Sequence, residues 1–249
     1  MNPITTAGVL VALLAVICII VFLTGLRKAL SYTTLPGAKQ KQTLIITGMA
    51  IVGWMLLLGL LASQQVLAEA GLPPRPMFTV LFGLLVILIL SFTDTGKSIL
   101  QATPLHWLIF FQVFRVGVEL WFFYSYKTGV FPQLMTFEGA NLDIIAGLLA
   151  VIAGLLVLKQ PRQARTIAFF FNSIGILILL NTLRAAAMSM PSPIQMYPFD
   201  ERLLLLGQPY FIYLPGILVV MALGCHILSL RQLALLAKPR YTEAIQRPQ

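Results

Sequence analysis

The chain has 249 residues, of which 59% are hydrophobic and only 10% charged, with a formal net charge of +9. Soluble domains run at roughly 45–50% apolar and about 25% charged, so the 17 basic and 8 acidic residues here cannot coat a water-facing surface of this size. That excludes a disordered chain, a disulfide scaffold, a Rossmann-type enzyme and a nucleic-acid module, and it assigns most of the chain to lipid.

Spanning a hydrocarbon core about 30 Å thick takes about 20 apolar residues at about 1.5 Å each. Taken in chain order, the first run to qualify is Thr6–Leu26. Its charges, Arg27 and Lys28, follow it, so it reads as a retained helix with its N-terminus outside and not as a cleaved leader. Thr43–Ser63 and Met77–Asp94 come next, then Leu105–Tyr126, Leu142–Leu158, Thr166–Arg184 and Tyr210–Leu230. Stretches such as Phe82 to Leu90 do not alternate in polarity, which rules out a membrane barrel. In lipid the backbone must bond to itself, so the runs are helices. The long segment between the last two runs holds Pro191, Pro193 and Pro198, and Asp200-Glu201 then opens a short interfacial helix. Pro215-Gly216 should break or kink the last run and free backbone carbonyls.

The basic residues test the topology. With the N-terminus outside, Arg27, Lys28, Lys39, Lys41, Lys97, Lys159, Arg162, Arg165, Arg231, Lys238, Arg240 and Arg247 fall on the cytoplasmic side. Arg75, Lys127, Arg184 and Arg202 fall outside, and Arg115 remains within the fourth run. This positive-inside bias predicts an all-α integral membrane bundle of seven transmembrane helices, N-terminus outside and C-terminus cytoplasmic. The whole chain is then one transmembrane domain with no soluble domain. Basic residues at helix ends form no phosphate-binding patch, so no nucleic acid is expected as a partner.

The polar groups inside the apolar runs carry the functional signal. An arginine at mid-bilayer costs roughly 2.5–3.5 kcal/mol on insertion scales, and such residues are retained for pairing or for function. Arg115 has Glu119 one turn further along the same face. The bland reading is a buried ion pair pinning helices; the functional one is a site for a solute, ion or lipid headgroup. Around the outer end, Glu138, Asn141 and Asp143 enter the fifth run, while Asn181 and Arg184 leave the sixth and Gln64 and Gln65 leave the second. They either serve as helix-start and helix-end chemistry or converge as a vestibule with Arg115 at its floor. A separate inner-side set comprises Asp94, Lys97, His106, Asn172 and His226.

Gly96-Lys97-Ser98 is no phosphate loop, because Ser91 stands where the first glycine is required. No zinc, di-iron or nucleophile-elbow motif is present, so no catalytic residue, metal or cofactor is expected. Cys18 and Cys225 lie in apolar runs and read as small packing residues. Ala146, Ala150 and Gly154 recur every four residues, a face suited to close helix packing within the bundle or in a dimer.

Phe114-Arg115-Val116-Gly117-Val118-Glu119-Leu120, the stretch from Met135 to Asp143, and His226 to Leu233 together resemble a family of small bacterial multi-pass membrane proteins of unknown activity. The resemblance covers the chain from the fourth run onward and implies a bacterial inner membrane. The leading expectation is a non-enzymatic inner-membrane protein that binds or transports a small polar or anionic solute through an outer-side crevice. Arg115 would be the cationic contact and Glu119 its orienting partner. The alternatives are a sensor or partner subunit docking another membrane protein or a second copy of itself, and, more remotely, a lipid-active enzyme using Glu119, Glu138 or Asp143.

Overall fold

The computed structural model describes residues 2–237; Lys238, Arg240 and Arg247 of the topology count lie outside them. Within the described residues the chain is all helix and connection, without strands. Helix α1 spans Pro3–Ser31, α2 Gly37–Ser63, α3 Pro76–Phe92, α4 Asp94–Ala102, α5 Leu105–Phe111, α6 Phe114–Lys127, α7 Asp143–Lys159, α8 Ala164–Ala187 and α9 Val220–Leu236. Two 3₁₀ segments, Gln133–Met135 and Glu201–Gly207, and a π-helical turn, Leu214–Val219, complete the set.

Five of these are long and apolar enough to cross a membrane: α1, α2, Leu105–Lys127 (α5 with α6), α8 and Leu214–Leu236 (the π turn with α9). Helices α3 and α4 pass the same test only together and are bent by 86° at their junction, giving a sixth if they count as one span. Helix α7 has 17 residues. The outward faces carry Leu13, Ile17, Met49, Leu56, Leu81, Ile89, Leu148, Ile152, Phe170 and Leu177, all exposed. Contiguous apolar surface on this scale is incompatible with water and fits lipid tails.

Local chemistry sets the breaks. Asn2 caps α1 by accepting the Ile4 amide at 3.1 Å, with Pro3 in the first turn. Thr93 turns the chain from α3 into α4 and caps the latter by accepting the Gly96 amide at 3.0 Å. The fourth run is interrupted at Gln112-Val113, where the buried Gln112 donates across to the Ala222 carbonyl at 2.8 Å. Pro215-Gly216 does break regular helix, as a π turn, and the Gly216 carbonyl accepts the Trp54 indole at 3.0 Å. Asp200-Glu201 opens a 3₁₀ segment, with Asp200 accepting the Arg202 amide at 3.0 Å.

Helix α9 is the hub, packed by α3, α4, α5 and α8, while α6 lies between α1 and α7. Ala146, Gly147, Ala150 and Gly154 of α7 are buried inside the bundle, where Val116 of α6 and Phe110 of α5 occupy the space beside Gly147 and Gly154. The small-residue face is thus used by the chain's own helices. Helix α2 stands apart: only Leu58 and Ala62 are buried along it.

Candidate functional site

Arg115 is the second residue of α6 and is 1% exposed. Its Nη2 donates to Asp143 Oδ1 at 2.7 Å, bridging to the first turn of α7. A carboxylate there is also favoured by the amide ends of that helix. Nη1 donates to the Gly175 carbonyl of α8 at 3.4 Å and lies 3.2 Å from His226 Nε2 of α9.

The imidazole's proton can be placed from its neighbours. A guanidinium only donates, so Nε2 accepts and the proton sits on Nδ1. Nδ1 lies 2.8 Å from Asn172 Oδ1. The orientation of Asn172 is fixed independently, because its Nδ2 donates to the Ala168 carbonyl, which can only accept, and to Ser229 Oγ, both at 2.7 Å. His226 is therefore a neutral link, fully buried, between a cation and an amide.

On the other side of Asp143, Thr182 Oγ1 lies 3.3 Å from the carboxylate and 2.8 Å from Asn141 Oδ1. Asn141 Oδ1 also accepts the Asp143 amide at 3.1 Å, while its Nδ2 donates to the Met135 carbonyl at 3.1 Å. A continuous polar string thus runs from the 128–142 connection through Asn141, Thr182, Asp143, Arg115, His226 and Asn172 to Ser229. It crosses α6, α7, α8 and α9 through an otherwise apolar interior.

Glu119 is close to this string without joining it. It is fully buried, and neither carboxyl oxygen has a hydrogen-bond partner. The Phe137 amide and the Asn141 carboxamide lie beside it, short of bonding geometry. Arg115 Nε is also buried without a partner. The expected Arg115–Glu119 pair is therefore replaced by an Arg115–Asp143 pair, and the guanidinium forms no open vestibule floor.

The remaining sequence candidates divide. His226 and Asn172, read as an inner-side set, join Arg115 directly. Asp94 does not; it pairs with Lys97 at 3.1 Å on the surface. Glu138 lies outside the cluster, 3.4 Å from Lys127, and both are solvent-accessible. Asn181 and Arg184 form a half-buried tie instead. Asn181 donates to the Ala140 carbonyl at 2.7 Å, and Arg184 donates to Asn181 Oδ1 at 3.0 Å and to the Tyr197 hydroxyl at 3.1 Å. Gln64 and Gln65 are exposed at the end of α2, and His106 packs edge-on to Phe110. Thr182 and Ser229 were not singled out by the sequence. Their only signal is a hydroxyl near another polar residue of the same helix: Ser229 follows His226 by three positions, and Thr182 follows Asn181 directly.

Residues 72–234 match the profile of a Domain of unknown function (DUF8737). The chain belongs to that family. Every residue of the string lies in the stretch this DUF8737 chain shares with its family, which leaves out only α1, α2 and the ends. No curated protein matches the chain, and no solved structure does.

Proposed function

We propose that this DUF8737 chain is a seven-span bacterial inner-membrane protein, N-terminus outside, that binds or passes a small polar solute at the Arg115 centre. Seven spans follow if α3 and α7 each cross, since about 17 helical residues is the short end of what a bilayer accepts. The lysine and arginine distribution supports the orientation. No step in this reading needs catalysis, metal or cofactor.

The observation that carries it is the Glu119 carboxyl, buried and unpartnered beside an arginine already neutralised by Asp143. Leaving a buried polar group unpaired costs about 1–3 kcal/mol, more for a charged one. A purely structural pin would have closed on Glu119 as well. With one cation and two carboxyls in the centre, the group with capacity left is acidic, so a proton is favoured as the species taken up at Glu119. A small anion would have only the Arg115 Nε–H to meet it.

Proteoliposomes with a trapped pH-sensitive dye and an imposed potassium diffusion potential test this reading. Proton movement above that of empty vesicles, lost in Glu119→Gln and in Arg115→Ala while both variants insert normally, supports it. Wild-type flux no greater than empty vesicles, or full flux in Glu119→Gln, ends it.

A further inference from the structure

At one end of the bundle the helices part. Helix α2 is held near its C-terminal half, where Trp54 reaches Gly216 and stacks on Phe82 at 5.1 Å, and its N-terminal half leaves the bundle. The gap it leaves is a cavity of about 700 Å³ between α1, α2, α3, α4, α5 and α9. That size lies within the roughly 300–1,000 Å³ of small-molecule sites. Its walls are mostly apolar, with Phe22, Leu90, Phe111 and Leu228 among them, and Thr43, Thr47 and Thr95 are among its hydroxyl-bearing residues. The α4 wall is fixed in place by Gln232, which donates to the Leu100 and Thr103 carbonyls.

The charges at this end are one-sided. Trp107 lines the cavity, and the Lys28 ammonium lies 5.5 Å from its ring centroid. Arg231 stacks 4.2 Å from Phe92, beside the lining residues Ser91 and Thr93. Neither cation has a carboxylate within salt-bridge distance among the described residues, and Asp94 is already taken by Lys97. Tyr32 against Trp107 at 5.9 Å adds the aromatic signature of a headgroup level.

We propose that this cavity is a binding site for one anionic phospholipid, an acyl tail lying among α1, α2, α3, α5 and α9 and the phosphate held by Lys28 and Arg231. An apolar volume with cations near its lining helices, unpaired among the described residues, is complementary to that amphiphile. The site is separate from the Arg115 centre, so either can fail alone. Gly25 offers the means to test it, because a side chain added there meets nothing within 4 Å and would grow into the cavity.

The full chain, purified in detergent micelles doped with equal phosphatidylglycerol and phosphatidylcholine, is examined by intact-complex mass spectrometry. One phosphatidylglycerol should be retained per chain, about tenfold over phosphatidylcholine. Gly25→Phe should lower retention about tenfold without changing the melting curve, and Thr47→Phe, on the loosely held α2, should do the same. Lys28→Gln with Arg231→Gln should abolish the headgroup preference. A wild type that keeps no lipid, keeps both lipids equally, or keeps as much as both filled variants overturns the proposal, leaving only annular lipid at this surface.

Discussion

The Arg115 guanidinium closes on Asp143, 28 residues further along the chain, at 2.7 Å, and leaves Glu119 on its own helix unpaired. Both partners are nearly inaccessible, with 1% and 8% of their side chains exposed. Removing one member of such a pair strands a buried charge and costs about 3–5 kcal/mol, whereas replacing both with apolar groups is often neutral. Asp143→Leu should therefore lower thermal stability in detergent sharply, and Arg115→Met combined with it should recover most of the loss. Equal melting temperatures for the single variant and wild type would contradict the buried pair.

The helix α8 backbone approaches His226 because Gly175 has no side chain. A methyl group there would run into the imidazole Cε1 and Nε2, the nitrogen that accepts from Arg115. Gly175→Ala should cost about 1–3 kcal/mol, the usual range for overpacking. The two sites touch, so their effects should not add. In a His226→Ala background the same alanine should cost little more, and a full additive loss in the double-mutant cycle would show that the imidazole is not what Gly175 accommodates.

Five long apolar helices were legible because length and hydropathy suffice to find them; α3 and α7, at 17 residues each, fall short of that measure by themselves. The breaks within them were less so. Leu105 to Tyr126 reads as unbroken, since Gln112 marks its turn only through a partner on α9, 110 residues away. Pro215-Gly216 did announce its break, because a missing amide is local information. The centre was half legible: Arg115, Asp143, Asn172 and His226 were each visible as polar residues in oil. Their pairing was not. Spacing of four suggested Glu119, but an arginine preceding a glutamate by one turn is the weaker order for such a pair. Asp143 wins by standing at the start of a neighbouring helix, a relation fixed only by tertiary packing.

The end of α6 positions the connection that covers Glu119. Gly129 has φ 76°, its amide bonds the Tyr126 carbonyl at 2.9 Å, and the Val130 amide bonds the Ser125 carbonyl at 2.7 Å. Those two bonds are the Schellman ending, which needs a left-handed residue at that position. Gly129→Ala leaves the bonds in place but forces a β-carbon into that conformation, at about 1–2 kcal/mol. Gly129→Asn, which tolerates the left-handed region better, should lose less. The order of the two melting temperatures checks the assignment.

The Asp200–Arg202 pair supplies a pH dependence at this same end of the bundle, where Arg202 donates to the Gly129 carbonyl at 3.3 Å. Hydrogen bonding from the Arg202 side chain, then the Arg202 amide and its charge, holds the Asp200 carboxyl below its ordinary range despite partial burial. A carboxyl more acidic in the folded chain than in the unfolded one stabilises the fold at pH values above its unfolded pKa of about 3.9. That contribution fades as the pH falls through the lower, folded value. Both side chains are partly exposed, so the effect is small and screened by salt. Asp200→Asn should melt slightly below wild type at pH 7 in low salt, and the two curves should converge as the pH is brought below about 3.9. Because an asparagine oxygen can still accept from the Arg202 amide, a gap that persists unchanged under acid would show that the loss does not come from the Asp200 charge.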